Sequence, residues 1–191
     1  MGLLNRGNRG WLSKSDNPNR KLKYTLQIIE DRKSKVGVNT HLTNKIVLDA
    51  LKNKAIKEFQ NFNEIKKEVK FGTNTRFDFL LTLKTKKIFI EVKNVTLSRQ
   101  SSLAEFPDAI TSRGSKHIKE LLKANKKGFE IFILYVIQRE DCSSFGFAKD
   151  IDTEYCELLK KAVKKNLKIL CYDCKFLTKG IKLNRKIKFK F

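Results

Sequence analysis

No uninterrupted apolar run in the 191-residue chain approaches the roughly 20 residues of a membrane-spanning helix, so no such span is expected. The opening stretch MGLLNRGNRGWLSKS is too polar and glycine-punctuated for a secretory leader, and a cytoplasmic location follows by default. Cysteine is sparse. Only Cys142, Cys156, Cys171 and Cys174 occur, and a reducing cytosol leaves them as free thiols. Cys171 and Cys174 have C-x-x-C spacing, but no second pair or His couplet completes a zinc site. They also lie in a strand-like run, where residues three apart face opposite sides, so they read as structural. No internal repeat or low-complexity tract is present. Acidic residues are the last shortage. Against 42 Lys and Arg there are 20 Asp and Glu, a net charge of +22.

Such an excess creates a field that attracts polyanions, of which nucleic acid is the commonest. A bland origin competes with this. The cations are mostly lysine, and the chain is also rich in Asn, Ile and Phe, as AT-rich coding DNA produces. With 40% hydrophobic and 10% aromatic residues the chain can bury a real core. Its length suits one domain, or one domain with a partial second.

Residues 1–23 are rich in Gly, Asn, Arg and Lys, and SDNPNRK (Ser15–Lys21) is a turn and loop signal. Tyr24–Glu30 reads as a strand and DRKSK as a charged link. A helix follows, with Leu42, Ile46, Val47, Ala50 and Leu51 at helical spacing. Then come three strand-like runs, EIKKEVKFG, RFDFLLTLK and KIFIEVKNVTL. The first alternates Ile65, Lys67, Val69 and Phe71 imperfectly; the others are apolar enough to be covered on both faces. SRQSSLAEFPDAITSRGS reads as an irregular connection, with Asp108 and Thr111 as helix-entry residues. A helix closed by Gly128 comes next. Phe129–Gln138 is a central buried strand, REDCSSFGF a loop, and Asp152 the cap of another helix. LKILCYDCKF is a further strand, and IKLNRKIKFKF a final strand or hairpin whose lysines protect an edge. This order predicts an α/β fold. An antiparallel meander joins a parallel β-α-β crossover in one mixed β-sheet flanked by helices.

Asp78, Glu91 and Lys93 interrupt the second and third strands of the meander. Burying an unpaired charge is expensive. Glu91 and Lys93 project from one face, and a turn near Lys84–Lys87 brings Asp78 alongside. Two adjacent carboxylates raise each other's pKa unless a cation intervenes. Mg²⁺ suits such a pair, because it takes few protein oxygens and leaves room for water and phosphate. Lys93 adds a point charge beside a scissile phosphate or attacking water, which is chemistry for phosphodiester cleavage. The spacing Asp-x12-Glu-x-Lys resembles the PD-(D/E)xK nuclease signature. The competing reading pairs both acids with nearby lysines on a solvated face, against which the flanking FDFLL and IFIEV count.

A wider likeness runs through WLSKSDNPNRKLKYTLQIIE, VGVNTHLTNKIV, EVKFGTNTRFDFLL, IEVKNVTL, FPDAITSRGSKHIKEL, LYVIQRED and IDTEYCELLKKA. In these blocks the chain resembles the sugar fermentation stimulation protein A (SfsA) family. The resemblance implies an N-terminal OB-like domain and a C-terminal restriction-endonuclease-like domain of the PD-(D/E)xK kind. It also implies DNA binding and an association with sugar (maltose) use. On it, Asp78 and Glu91 inherit the metal-ligand role, with Mg²⁺ or Mn²⁺, and Lys93 the catalytic one. Glu68, ten residues before Asp78, is a candidate third acid, or a surface glutamate paired with Lys66 or Lys70. The first-helix acid of many such nucleases has no match, since that helix offers Asn39, Asn44 and a distant Asp49.

Arg113, Lys116, His117 and Glu120 fall on one polar helix face, so Arg113, Lys116 and His117 are candidate phosphate contacts. A surface histidine capped by water is the alternative reading of His117, of equal weight. Arg76 shares the strand face of Asp78 and could pair with it or with phosphate. Asn39 and Thr40 most simply cap the first helix, with an approach to the metal the alternative for Asn39, and His41 is a solvated first-turn residue. Lys14, Arg20, Lys21 and Trp11 offer cations and one ring to a single strand. Met1 falls where the OB-like domain is already under way. Residues 1–34 are therefore expected as a partial OB-like segment, and residues 35–191 as the nuclease-like domain. The expected partner is nucleic acid, DNA before RNA and largely independent of sequence, bound by an active Mg²⁺-dependent site or by a non-catalytic regulator.

Overall fold

The computed structural model describes Leu3 and residues 5–191. Strands β1 (Gly10–Lys14), β2 (Tyr24–Asp31) and β3 (Ser34–Gly37) form a three-stranded antiparallel sheet. The charged stretch that sequence alone assigns to a link is the β2–β3 hairpin turn. Arg32 and Lys33 both take positive φ, 50° and 65°, as a tight two-residue hairpin requires. Arg and Lys in place of Asn-Gly hide that turn.

The main sheet has six strands in the order β12-β11-β9-β6-β5-β4. Strands β4 (Glu64–Phe71), β5 (Thr75–Leu83) and β6 (Lys86–Val95) are the expected antiparallel meander. Three helices accompany it: α1 (Thr43–Lys52), α2 (Ser112–Lys126) and α3 (Thr153–Val163). Strand β6 runs parallel to β9 (Glu130–Ile137), and β9 to β11 (Lys168–Leu177). Strand β12 (Gly180–Lys186) folds back antiparallel on β11. The two faces of β9 explain its continuous apolar run. Ile131, Ile133, Tyr135 and Ile137 pack with Ile118, Leu121, Tyr155 and Leu159 of α2 and α3. Phe132, Leu134 and Val136 pack with Ile46, Val47 and Leu51 of α1. Cys171 and Cys174 are buried, free and on opposite faces of the sheet.

A third sheet joins β7 (Leu97–Gln100), β8 (Leu103–Phe106), β10 (Ser144–Phe147) and β13 (Lys188–Lys190). Sequence alone assigns β7, β8 and β10 to a connection and a loop. Runs this short show no period, and β10 pairs in parallel with distant partners. The helix ends follow local chemistry. Thr111 Oγ1 accepts from Gly114 N at 3.1 Å at the start of α2, and Asp152 Oδ1 from Tyr155 N at 2.9 Å at the start of α3. Gly128, with φ at 87°, ends α2. No helix among the described residues is long and apolar enough to cross a membrane.

Candidate functional site

The imperfect alternation of β4 marks a reversal shared by two strands. Ile65, Phe79 and Leu81 pack on the α1 face of the sheet, whereas Val69, Phe71 and Phe77 pack on the α2 face. A period of two would keep Ile65 with Val69, and Phe77 with Phe79. The switch falls at Glu68 and Asp78. Their neighbours pair as Lys67 with Phe79 and Val69 with Phe77. Glu68 itself takes a left-handed φ of 51°, which costs a non-glycine residue about 1–2 kcal/mol.

The other edge of β5 comes apart at the same place. Its ladder with β6 ends at Phe79 opposite Ile90. The Asp78 carboxylate takes over, and its Oδ2 accepts the Val92 N–H at 2.7 Å. Strand β6 stays paired with β9 as far as Val95, so β5 is the strand that leaves. The gap is a cleft of about 880 Å³.

Glu68, Arg76, Asp78, Glu91, Lys93, Arg113, Lys116 and His117 all line this cleft. Lys14, Arg20 and Lys21 do not; they lie on β1 and the loop after it, where Arg20 Nη2 donates to Thr25 Oγ1 at 2.7 Å. Glu91 is 3% exposed. Its Oε1 accepts from Lys93 Nζ at 2.7 Å and meets His117 Nδ1. Its Oε2 is buried with no hydrogen-bond partner. His117 is buried rather than solvated, edge-on to Phe77 with ring centroids 6.5 Å apart. Its partner comes from β6, which spacing along α2 cannot reveal.

The two acids are poised differently. Burial raises the pKa of Asp78 and the charge of Glu91 raises it further, to about 6, with bonds from Val92 and Asn44 and the charge of Lys93 countering only in part. Burial works the same way on Glu91, but the His117 bond and the Lys93 charge outweigh it. They hold that carboxyl below its ordinary range.

Asn44 of α1, which the sequence offers in place of a first-helix acid, donates to Asp78 Oδ1 at 2.7 Å. Sequence reasoning missed the rest of the cleft's polar support. Gln138, wholly buried, donates to Asn94 Oδ1 at 2.5 Å and Thr43 Oγ1 at 3.0 Å. Asn94 sits one residue past the Glu-x-Lys pair in an apolar strand, and that half-buried amide is the available signal. Asn39 caps the short 3-10 helix Thr40–Leu42 and donates to Gln27 at 2.9 Å, while His41 lines the cleft.

Among the described residues no three His, Cys, Asp or Glu gather as a ready metal cluster. Asp78 and Glu91 nevertheless present hard oxygen donors, one of them lacking any partner. That donor set fits an oxygen-seeking divalent cation whose remaining ligands are water.

Residues 41–180 match the family model described as the sugar fermentation stimulation protein RE domain. Residues 1–38, which take in β1 to β3, match the SfsA N-terminal OB domain. The sugar fermentation stimulation protein homolog of Pelagibacter ubique (strain HTCC1062) is 52% identical over 187 residues, covering 98% of this chain and 81% of that one. The homolog of Ruegeria sp. (strain TM1040) is 41% identical, covering 96% and 80%. Among solved structures, that of Pyrococcus furiosus SfsA, described as in complex with Ca²⁺, superposes with a TM-score of 0.86 at 26% identity. The match covers 95% of this chain and 78% of that one.

Proposed function

The chain belongs to the sugar fermentation stimulation protein family, and from there we propose that it binds nucleic acid and hydrolyses phosphodiesters with Mg²⁺ or Mn²⁺. One observation carries the reading. A buried carboxylate oxygen of Glu91 lacks a partner, beside an Asp78 carboxyl pushed up to about 6, in a cleft that Lys70, Arg76, Lys93, Arg113 and Lys116 also line. Buried acids left incomplete in this way mark functional sites. The Pyrococcus furiosus SfsA, described with Ca²⁺, supports a divalent cation in a chain of this fold.

Asp78 and Glu91 would hold the ion. When bound, it supplies Lewis-acid polarisation of the phosphate and a more acidic water. His117 acts from behind, fixing the orientation of Glu91 through its Nδ1 contact. Lys93, anchored by Glu91, offers its ammonium to the reacting phosphate. Arg76, Arg113 and Lys116 take phosphates on either side, contacts that position a backbone and carry no sequence information. Glu68 faces the cleft as an accessory acid. DNA is the preferred partner on the family resemblance.

The test is cleavage of labelled DNA and RNA with Mg²⁺ or Mn²⁺, comparing wild type with Asp78→Asn and Lys93→Met. Loss of metal-dependent cutting in both variants supports the site. Cutting that ignores both substitutions overturns it. A non-catalytic, sequence-independent DNA-binding regulator of sugar metabolism is the second reading. It is favoured by Asn44, rather than an acid, meeting Asp78 from α1. That reading predicts salt-sensitive binding that survives Asp78→Asn and no calorimetric heat from Mg²⁺.

A further inference from the structure

We infer that the nucleic-acid strand leaves the cleft through a groove between the β4–β5 turn and α2, where Lys123, Lys126 and Lys127 hold phosphates beyond the reaction centre. This rests on the proposed nucleic-acid site and assigns it an exit path. A second cleft, of about 600 Å³, runs between Phe71–Thr75 on one side and the C-terminal half of α2 on the other. It shares Thr73, Asn74, Thr75 and Lys116 with the first, so the two are continuous. Lys116 sits at the join, its Nζ donating to the Asn74 carbonyl at 3.1 Å.

Lys116, Lys123 and Lys127 recur at i, i+7 and i+11, one stripe of the helix turned to this groove. Glu120, the acid on that stripe, is already bonded by Lys123 at 2.7 Å. Lys126 and Lys127 have no carboxylate partner among the described residues. Lys127 instead lies over the Phe71 ring, 5.2 Å from its centroid, an aromatic and cationic pair at the groove wall. The opposite rim is open: Gly72 has φ at 64° and nothing within 4 Å of a side-chain position.

From Arg113 to Lys127 the α2 side of the path spans about 21 Å, at 1.5 Å per helical residue. At about 3.4 Å per phosphate along one duplex strand, it matches about six phosphates. Charge alone does not select this surface. Lys160, Lys161 and Lys164 on and just beyond α3 are as basic, yet line neither cleft.

The experiment measures anisotropy of a labelled DNA of about 24 nucleotides across a salt series, without metal. The triple variant Lys123→Gln, Lys126→Gln, Lys127→Gln is expected to bind about tenfold more weakly near 0.1 M salt. Its slope of log affinity against log salt should shrink by about two to three. The Lys→Arg triple should bind like wild type. The control triple Lys160→Gln, Lys161→Gln, Lys164→Gln should change the slope by less than about one. Mn²⁺ binding by calorimetry should be equal in all four. Wild-type affinity in the groove triple, or an equal loss in the control, overturns the path while leaving the cleft reading intact. Failure of wild type itself to bind DNA overturns both.

Discussion

Arg139 and Glu91 are both buried charges, 1% and 3% exposed, yet one is fully partnered and the other is not. Arg139 donates through Nε to Asp141 at 2.8 Å and through Nη1 to the Thr96 carbonyl at 3.0 Å. Its Nη2 reaches Asp31 at 2.9 Å and Asp141 at 2.7 Å. Burial opposes its charge, but the bonds to Asp141 and Asp31 win, and its pKa stands well above the ordinary value. Asp31 ends β2, and Arg139 lies just past β9, so the network ties the N-terminal sheet to the main one. Glu91 also has two cationic partners, but both crowd Oε1 and leave Oε2 bare. A closed network spends its bonding capacity on the fold. An open one retains capacity for a ligand, at a cost in stability.

The sharpest way to break this contrast is to neutralise each centre. Glu91→Gln should lower metal-dependent cleavage by about 1000-fold. It should move the urea midpoint by no more than the equivalent of about 1–2 kcal/mol, because an amide retains one bond. Unfolding of that variant would make Glu91 as structural as Arg139. Arg139→Ala should do the converse. It strands Asp31 and Asp141 and should destabilise the protein by about 3–5 kcal/mol in urea melts. Cleavage per folded molecule should stay near wild type.

The contrast also separates what the sequence reveals from what it hides. Strands β5, β6 and β9 announce themselves by long apolar runs, and Asp78, Glu91 and Lys93 stand out because they interrupt those runs. The reversal at Glu68 shows only as broken alternation in β4. Arg139 opens REDCSSFGF, which reads as a loop, since its partners lie at Asp31 and Thr96. His117 sits on a polar helical face, and a glutamate from another strand draws it inward. The short strand β10 gains its pairing only from β8 and β13, neighbours distant in sequence. Periodicity and charge pattern are local, so contacts between distant segments escape them.

Asp78→Asn sharpens the comparison from the stability side. The wild-type carboxyl titrates near 3.8 unfolded and about 6 folded, so the folded state holds the proton more tightly. Stability from this group therefore falls as pH rises from about 4 to 6, by about 3 kcal/mol as an upper limit. Removing the charge should make the variant more stable than wild type by about 1–3 kcal/mol at pH 7. The difference should vanish below about pH 3, where the Asp78 carboxyl is protonated in both states. Thermal melts across that range check it, and a variant less stable than wild type at pH 7 would mean that the Asn44 and Val92 bonds dominate.

The smallest expected effect tests whether the backbone shares in the openness of the site. Glu68 holds φ at 51° without the freedom of glycine. Glu68→Gly should recover the left-handed penalty of about 1–2 kcal/mol, less an entropic cost of about 0.5–1 kcal/mol. Glu68→Ala keeps the penalty, so the glycine variant should be the more stable by up to about 1.5 kcal/mol. Both variants lose the carboxylate, and an accessory acid predicts a shared fall in Mn²⁺ affinity by calorimetry. Equal stability of the two would remove the strain, and unchanged affinity would leave Asp78 and Glu91 to hold the ion alone. In neither respect does Arg139 have a counterpart, because it is not among the positive-φ residues and does not line the cleft of Asp78 and Glu91.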